Sequence, residues 1–247
     1  MQKYFIDGQL TIHQQFQINE TDHHHIKNVM RNHDGDQIIC IDTMQQPYLC
    51  SIENVNEGKI KVMEALDINN ELDVEVTLIY ALPKGDKFEL VLQKACELGV
   101  SRIIPLQSRR CVVKMTKEKM TKKLPRYQKI LKEASEQSGR NRIPDIENVI
   151  TVKDISSYLG DVNLVAYEET AKQNRHGQLY ESLSHVKQGD KIVIIVGSEG
   201  GFDKDEIAMM NEAGVKCCSL GKRILRSETA PLYMLSVIGY VREVAKC

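Results

Sequence analysis

Ile192 to Val196 form a continuous apolar run, opened by Lys191 and closed by Gly197. A strand that is apolar at every position has no face to offer water. It must be covered on both sides, as the central strands of parallel sheets are. The flanking sequence agrees with that requirement. Val74–Ala81, Arg102–Ile104, Asn163–Tyr167 and Val215–Leu220 read as further strands. Lys84–Leu98 carries Phe88, Val91, Leu92, Ala95 and Leu98 at helical spacing, with Gly99 placed to end the helix. A long basic helical stretch from about Lys117 to Ser138 is interrupted by Pro125, which is expected to break or kink it. Asp203 followed three residues later by Glu206 is the signature of a capped helix start. Strands alternating with helices define an α/β domain with a mostly parallel sheet.

The first 70 or so residues have a different rhythm. Asp36–Ile41, Tyr48–Ile52 and Gly58–Val62 are short strand candidates, with Gly35, Pro47 and Gly58 where turns need them, and a short helix is expected from behind Thr21 or Asp22 to Val29. The polar segment Asp67–Glu71 reads as a linker. The expected organisation is a small β-rich domain over 1–70 and a larger α/β domain over 71–247.

No apolar run approaches the roughly 18–20 residues that a membrane span needs. Met1–Asp7 shows no basic segment followed by a long apolar stretch, so no secretory leader and no membrane partner are expected. The seven cysteines are scattered, odd in number and never spaced C-x-x-C, which argues against disulfides or zinc and for a reducing, cytoplasmic setting. Consecutive residues on a helix point in different directions, so His23-His24-His25 is not expected to hold a metal. Cys217-Cys218, in a predicted strand, is expected to pack rather than react. The net charge of −1 conceals an asymmetry: Arg102 to Arg142 holds 13 Lys or Arg against three acids. A basic stretch of this kind is either a solvated helix face or a footprint for a polyanion.

The candidate chemistry lies in two loops that follow strands. One is Gly197-Ser198-Glu199-Gly200-Gly201-Phe202. The other runs from Leu220-Gly221 through Arg223-Ile224-Leu225-Arg226-Ser227-Glu228 to Thr229-Ala230-Pro231, where an apolar helix begins. Ligands of open α/β sheets bind beyond the carboxyl ends of strands, so both loops would face one ligand. Neither a G-x-x-x-x-G-K-[ST] phosphate loop nor a G-x-G-x-x-G fingerprint is present, which sets a nucleotide-hydrolysing enzyme aside.

G-S-E-G-G-F followed by L-G-x-R-I-L-R-x-E-T-A is very similar to the signature of the SPOUT, or trefoil-knot, methyltransferases, and specifically of the ribosomal small subunit methyltransferase E family. The resemblance extends to Ala81-Leu82-Pro83-Lys84-Gly85-Asp86-Lys87, Gln93–Val100, Ser108-Arg109-Arg110 and Ala134–Arg140, with Ser198 where the family pattern has proline. It implies a PUA-like, RNA-binding β-barrel followed by a SPOUT domain with a C-terminal knot, assembled as a homodimer. It implies S-adenosylmethionine as cofactor, bound by Gly197, Glu199, Gly200, Gly201, Leu220, Gly221, Ile224, Leu225, Thr229 and Ala230. The implied reaction is methylation of uridine N3 in 16S ribosomal RNA, free or within the small subunit.

Uracil N3 carries a proton, so it must become anionic before or during attack, and a nearby cation favours the anion. Arg226 is the candidate for that role, and Glu228 is a candidate base or an orienter of Arg226. N3 lies on the pairing edge, so the uridine must be unpaired or flipped out. RNA contact is expected from Arg31, Lys84, Arg109, Arg110, Lys114, Lys122, Lys123, Arg126, Arg140 and Arg142, largely through phosphates. Two alternatives stay open: a ribose 2′-O-methyltransferase of the same fold, and a non-catalytic RNA-binding ribosome-assembly factor. The L-R-x-E-T motif argues against the first, and the intact glycine loops argue against the second.

Overall fold

A computed structural model of the chain describes residues 1–169 and 177–245. They divide into two compact units: Met1–Glu71 with Ser135–Arg142, and Leu72–Ala134 with Ile143–Cys247. The first unit is therefore not contiguous in sequence.

Its core is a curled five-stranded sheet in the order β1-β3-β4-β5-β2. The strands are β1 (Lys3–Phe5), β2 (Gln15–Gln17), β3 (Gln37–Ile41), β4 (Pro47–Asn54) and β5 (Lys59–Ala65). Pairing is antiparallel except for β1 on β3, and β4 and β5 slip register after Leu49 and Ile52. Alternate residues point inward, so Ile38, Cys40, Cys50, Ile52, Ile60 and Val62 meet Tyr4 and Ile26 in one buried cluster. Helix α1 (Glu20–His24) starts earlier than the sequence suggests, because Asn19 is the cap: its side chain accepts a bond from the Asp22 N–H at 2.9 Å. A π turn over His25–Val29 continues it. The three histidines diverge: His23 Nε2 meets the Val55 carbonyl at 2.7 Å, His24 Nδ1 meets Asn28 at 2.9 Å and His25 Nδ1 meets the Tyr4 hydroxyl at 3.0 Å.

The segment expected as a linker is firmly held. Glu71 pairs with Arg140 and accepts from the Asn141 N–H at 2.8 Å and the Arg142 N–H at 3.2 Å. The Ile68 carbonyl accepts from Asn141 Nδ2 at 2.6 Å.

The second unit is built on a parallel sheet in the order β12-β10-β11-β6-β7-β8, with β9 also pairing β7. Its strands are β6 (Glu75–Ala81), β7 (Arg102–Gln107), β8 (Asp145–Ile146), β9 (Ile150–Thr151), β10 (Val162–Ala166), β11 (Lys191–Val196) and β12 (Lys216–Cys218). The apolar run that announced this sheet is β11, paired on one side with β6 from Lys191↔Glu75 to Val196↔Tyr80 and on the other with β10. Val193, Ile194 and Ile195 are buried, as a strand covered on both faces requires.

Helix α2 (Lys87–Glu97) begins three residues later than its periodicity suggests, because Gly85 takes the left-handed conformation at φ +64°. Helix α3 (Lys117–Ser138) is continuous through Pro125, so the break that proline could have caused does not occur there. Proline removes one backbone bond, but Met120 on one side and Tyr127, Leu131 and Ala134 on the other bury a single stripe against the core, and that packing holds the helix together. Helices α4 (Gln178–Ser184), α5 (Lys204–Glu212) and α6 (Thr229–Gly239) complete the unit. The capping box at α5 forms as read: the Asp203 N–H donates to Glu206 at 2.9 Å, and the Asp205 N–H donates to Asp203 at 3.1 Å. Although β12 is an edge strand, the chain returns from it so that α6 packs on β11 and α2. Cys218 is fully buried in that edge strand, and Cys217 is half-buried.

Candidate active site

Four loops leave the carboxyl ends of β6, β7, β11 and β12, and side chains join them. Lys87, the first residue of α2, sits behind the β6 loop and places its Nζ 3.0 Å from Glu199 Oε1 and 3.1 Å from Glu228 Oε2. Glu199 belongs to the loop after β11, and Glu228 ends the loop after β12. Glu199 also accepts from the Lys84 N–H at 3.3 Å, and Glu228 accepts from Ser227 Oγ at 3.1 Å.

Burial works to raise the pKa of both carboxyls. It is outweighed by hydrogen bonds from their own backbone N–H groups and from Lys87, so each lies below the ordinary range. Glu228 is therefore a poor base as it stands. Its partner is Lys87 rather than Arg226, which corrects the expectation that it orients Arg226. Arg226 itself is exposed and enters no ion pair among the described residues, while its carbonyl accepts the N–H groups of Thr229 (2.9 Å) and Ala230 (3.0 Å) at the start of α6.

Behind this network the Tyr80 hydroxyl, at the end of β6, is buried without a well-placed hydrogen-bond partner among the described residues. Burial drives its pKa upward. Ser227 pulls the other way, and the charges of Glu199 and Glu228 add to the rise. Sequence reading placed Lys87 in a family-like segment but gave neither it nor Tyr80 a role in the site. The available signal was position: both lie at or just beyond the carboxyl end of the strand beside β11.

Gly197, Gly200 and Gly201 line the loop after β11. A Cβ on Gly200 would lie 3.0 Å from Arg110 Cβ and 3.2 Å from its carbonyl oxygen, so a larger residue there would require Arg110 to give way by a few tenths of an ångström. In the loop after β12, Gly221 sits at φ +101° with open space where a side chain would be, and its N–H donates to Ser219 Oγ at 3.2 Å. Leu220 and Leu225 pack partly against the core, whereas Ile224 is 78% exposed.

The candidate RNA-contacting residues fare unequally. Arg109 meets Asp203 at 3.2 Å and Asp205 at 2.9 Å, and its N–H donates to the buried Glu206 at 2.8 Å. Arg110 donates to the Gly200 carbonyl at 3.2 Å and lies 3.5 Å from Asp203. Both arginines brace the glycine loop. Arg140 is 3% exposed and committed to Glu71, so it cannot present its guanidinium to a phosphate; burial of the charge is the reason that expectation fails. Arg126 is paired with Glu89 at 2.7 Å but remains largely exposed. Arg142 is half-buried, while Arg31, Lys84, Lys114, Lys122 and Lys123 are exposed.

An open parallel sheet whose carboxyl-end loops converge on a charged cluster beside a glycine-rich turn is the architecture of a ligand-binding α/β enzyme. The family profile described as RNA methyltransferase domain matches residues 70–239, and that of the RNA methyltransferase PUA domain matches residues 18–63. These define the class: an RNA methyltransferase with an N-terminal PUA-like domain. The chain is 40% identical to ribosomal RNA small subunit methyltransferase E of Bacillus subtilis, across 100% of this chain and 99% of the relative. It is 32% identical to the Synechocystis protein of the same name, over 89% of this chain and 71% of that one. A crystal structure of ribosomal RNA small subunit methyltransferase E from Neisseria gonorrhoeae bound to S-adenosyl methionine superimposes with a TM-score of 0.84 at 28% identity, covering 96% of both chains. This chain belongs to the ribosomal RNA small subunit methyltransferase E family.

Proposed function

We propose that this protein transfers a methyl group from S-adenosylmethionine to N3 of a uridine in 16S ribosomal RNA, acting in the cytoplasm as a homodimer. The observation that carries the reading is the convergence of the loops after β6, β11 and β12 on the Lys87–Glu199–Glu228 network, with the exposed Arg226 two residues from Glu228. The residues suit the cofactor: a buried hydroxyl lacks a well-placed partner at Tyr80, and Gly221 leaves open space beside bare backbone groups. Once bound, the cofactor supplies an electrophilic methyl group. The protein's task is to place the uracil in line with it and to favour the N3 anion, which Arg226 does by facing the uracil carbonyl oxygens. The return of the chain from β12 to α6 supports a threaded, knotted crossing at these loops. Tyr233, Tyr240 and Val244, seven and four residues apart along α6 and its continuation, leave an exposed apolar stripe that supports self-association.

The direct test incubates the protein with labelled S-adenosylmethionine and either unmodified small subunits or naked 16S RNA, followed by digestion to nucleosides. Label in N3-methyluridine is the expected result. Label in a 2′-O-methylated nucleoside would overturn the base assignment.

The braces and the exposed lysines should separate cleanly. Lys122→Ala and Lys123→Ala are each expected to lower the slope of log affinity for RNA against log salt by about 1, leaving the cofactor KM unchanged. Arg110→Ala should do the reverse. Its guanidinium holds the Gly200 carbonyl, so the cofactor KM is expected to rise several-fold while the salt slope stays put. A shared loss of salt slope in all three variants would return Arg110 to the RNA surface.

A further inference from the structure

Lys87 offers one positive charge to two carboxylates, those of Glu199 and Glu228. Together the three side chains hold one uncompensated negative charge, on groups only 33%, 33% and 17% exposed. Half-buried charge is screened less than surface charge, so the imbalance attracts a cation. A second feature points the same way. The Tyr80 hydroxyl beside them is fully buried, meets no hydrogen-bond partner in good geometry among the described residues, and feels both carboxylates electrostatically. An orphaned buried hydroxyl marks a place where a ligand or its water completes the bonding. Arg226, though close in sequence to Glu228, is turned to solvent and does not supply the missing charge.

We propose that Lys87, Glu199 and Glu228 form the subsite for the amino-acid end of the cofactor: the carboxylates receive its α-ammonium group and Lys87 its α-carboxylate. The inference rests on the reading of the cofactor as S-adenosylmethionine. A zwitterion needs both signs of charge within a few ångströms, and this cluster provides them from two loops and the start of α2. Opening of the Lys87 ion pairs would let ligand charges replace protein ones, so binding would join the loops through the ligand.

Calorimetry with three ligands tests this without reference to turnover. S-adenosylmethionine and S-adenosylhomocysteine both carry the amino-acid end; 5′-methylthioadenosine keeps the nucleoside and thioether but lacks it. Glu228→Gln, Glu199→Gln and Lys87→Met are each expected to weaken the first two ligands by about tenfold. Binding of 5′-methylthioadenosine should be unchanged, which also shows that the loops remain folded. Lys87→Arg should retain affinity. Loss of all three ligands together would mean that the cluster is only a structural clip. Loss of S-adenosylmethionine alone would mean that the carboxylates read the sulfonium, and no change would remove the subsite altogether. If the unmodified protein bound none of the three, the reading of the cofactor itself would fall, and the subsite with it.

Discussion

Glu71→Ala is expected to destabilise the protein by about 3 kcal/mol or more. Arg140 is 3% exposed, and its guanidinium is gripped by both oxygens of Glu71, with Nε at 3.3 and 3.2 Å. The same carboxylate receives the N–H groups of Asn141 and Arg142. Removing it strips a buried cation of this partner and two backbone donors of their acceptor. Loss of one partner of a buried pair costs far more than the pair contributes over an apolar replacement. Glu71→Gln keeps an acceptor for the backbone and should fall between wild type and Ala. The double variant Glu71→Met with Arg140→Met should recover much of the loss. Urea unfolding followed by circular dichroism measures all three. Additive effects of the two single changes, with no recovery in the double variant, would show that the carboxylate and the guanidinium do not act as a pair.

That pair also shows where sequence reading stops. Arg140 reads as one more cation in a basic stretch, because composition cannot distinguish a solvated arginine from one buried against a carboxylate 69 positions away. Arg109 loses its apparent freedom in the same way, to acids 94 and 96 residues distant. What is local was legible. The apolar run of β11, the stripe on α2 and the capping box at Asp203 each follow from neighbours within a few residues. β1 and β2, three residues each, were missed because so short a strand offers no alternation to count. Pro125 misled because the penalty it imposes is local, whereas the packing of Met120, Tyr127 and Leu131 that overrides it is tertiary. In the candidate site, the glycine loops and Arg226 stood out by motif. Lys87 lay within a family-like segment but gained no role from it, since a lysine opening a helix carries no mark of the two carboxylates it will meet, 112 and 141 residues further along the chain.

Arg226→Ala is expected to reduce turnover by about 10²–10³-fold at saturating RNA and cofactor, the scale lost when one donor to a developing anion is removed. Among the charged groups at these loops, Lys87 is held by Glu199 and Glu228, Arg109 by Asp203 and Asp205, and Arg110 by the Gly200 carbonyl and Asp203. Arg226 is exposed without an ion pair among the described residues, so its charge is available to the substrate. Its backbone is fixed all the same, because its carbonyl takes the first N–H groups of α6. The uracil anion needs that cation only while N3 is losing its proton, so the effect should fall on kcat and leave the cofactor Kd unchanged. Raising the pH ionises uracil N3 without help, and turnover of the Ala variant should therefore climb with pH more steeply than that of the wild type. Arg226→Lys, which keeps the charge but loses the planar fork, should recover part of the rate. Single-turnover measurements across pH decide the matter. An Ala variant with wild-type turnover, or one whose deficit does not shrink as pH rises, would remove Arg226 from this role.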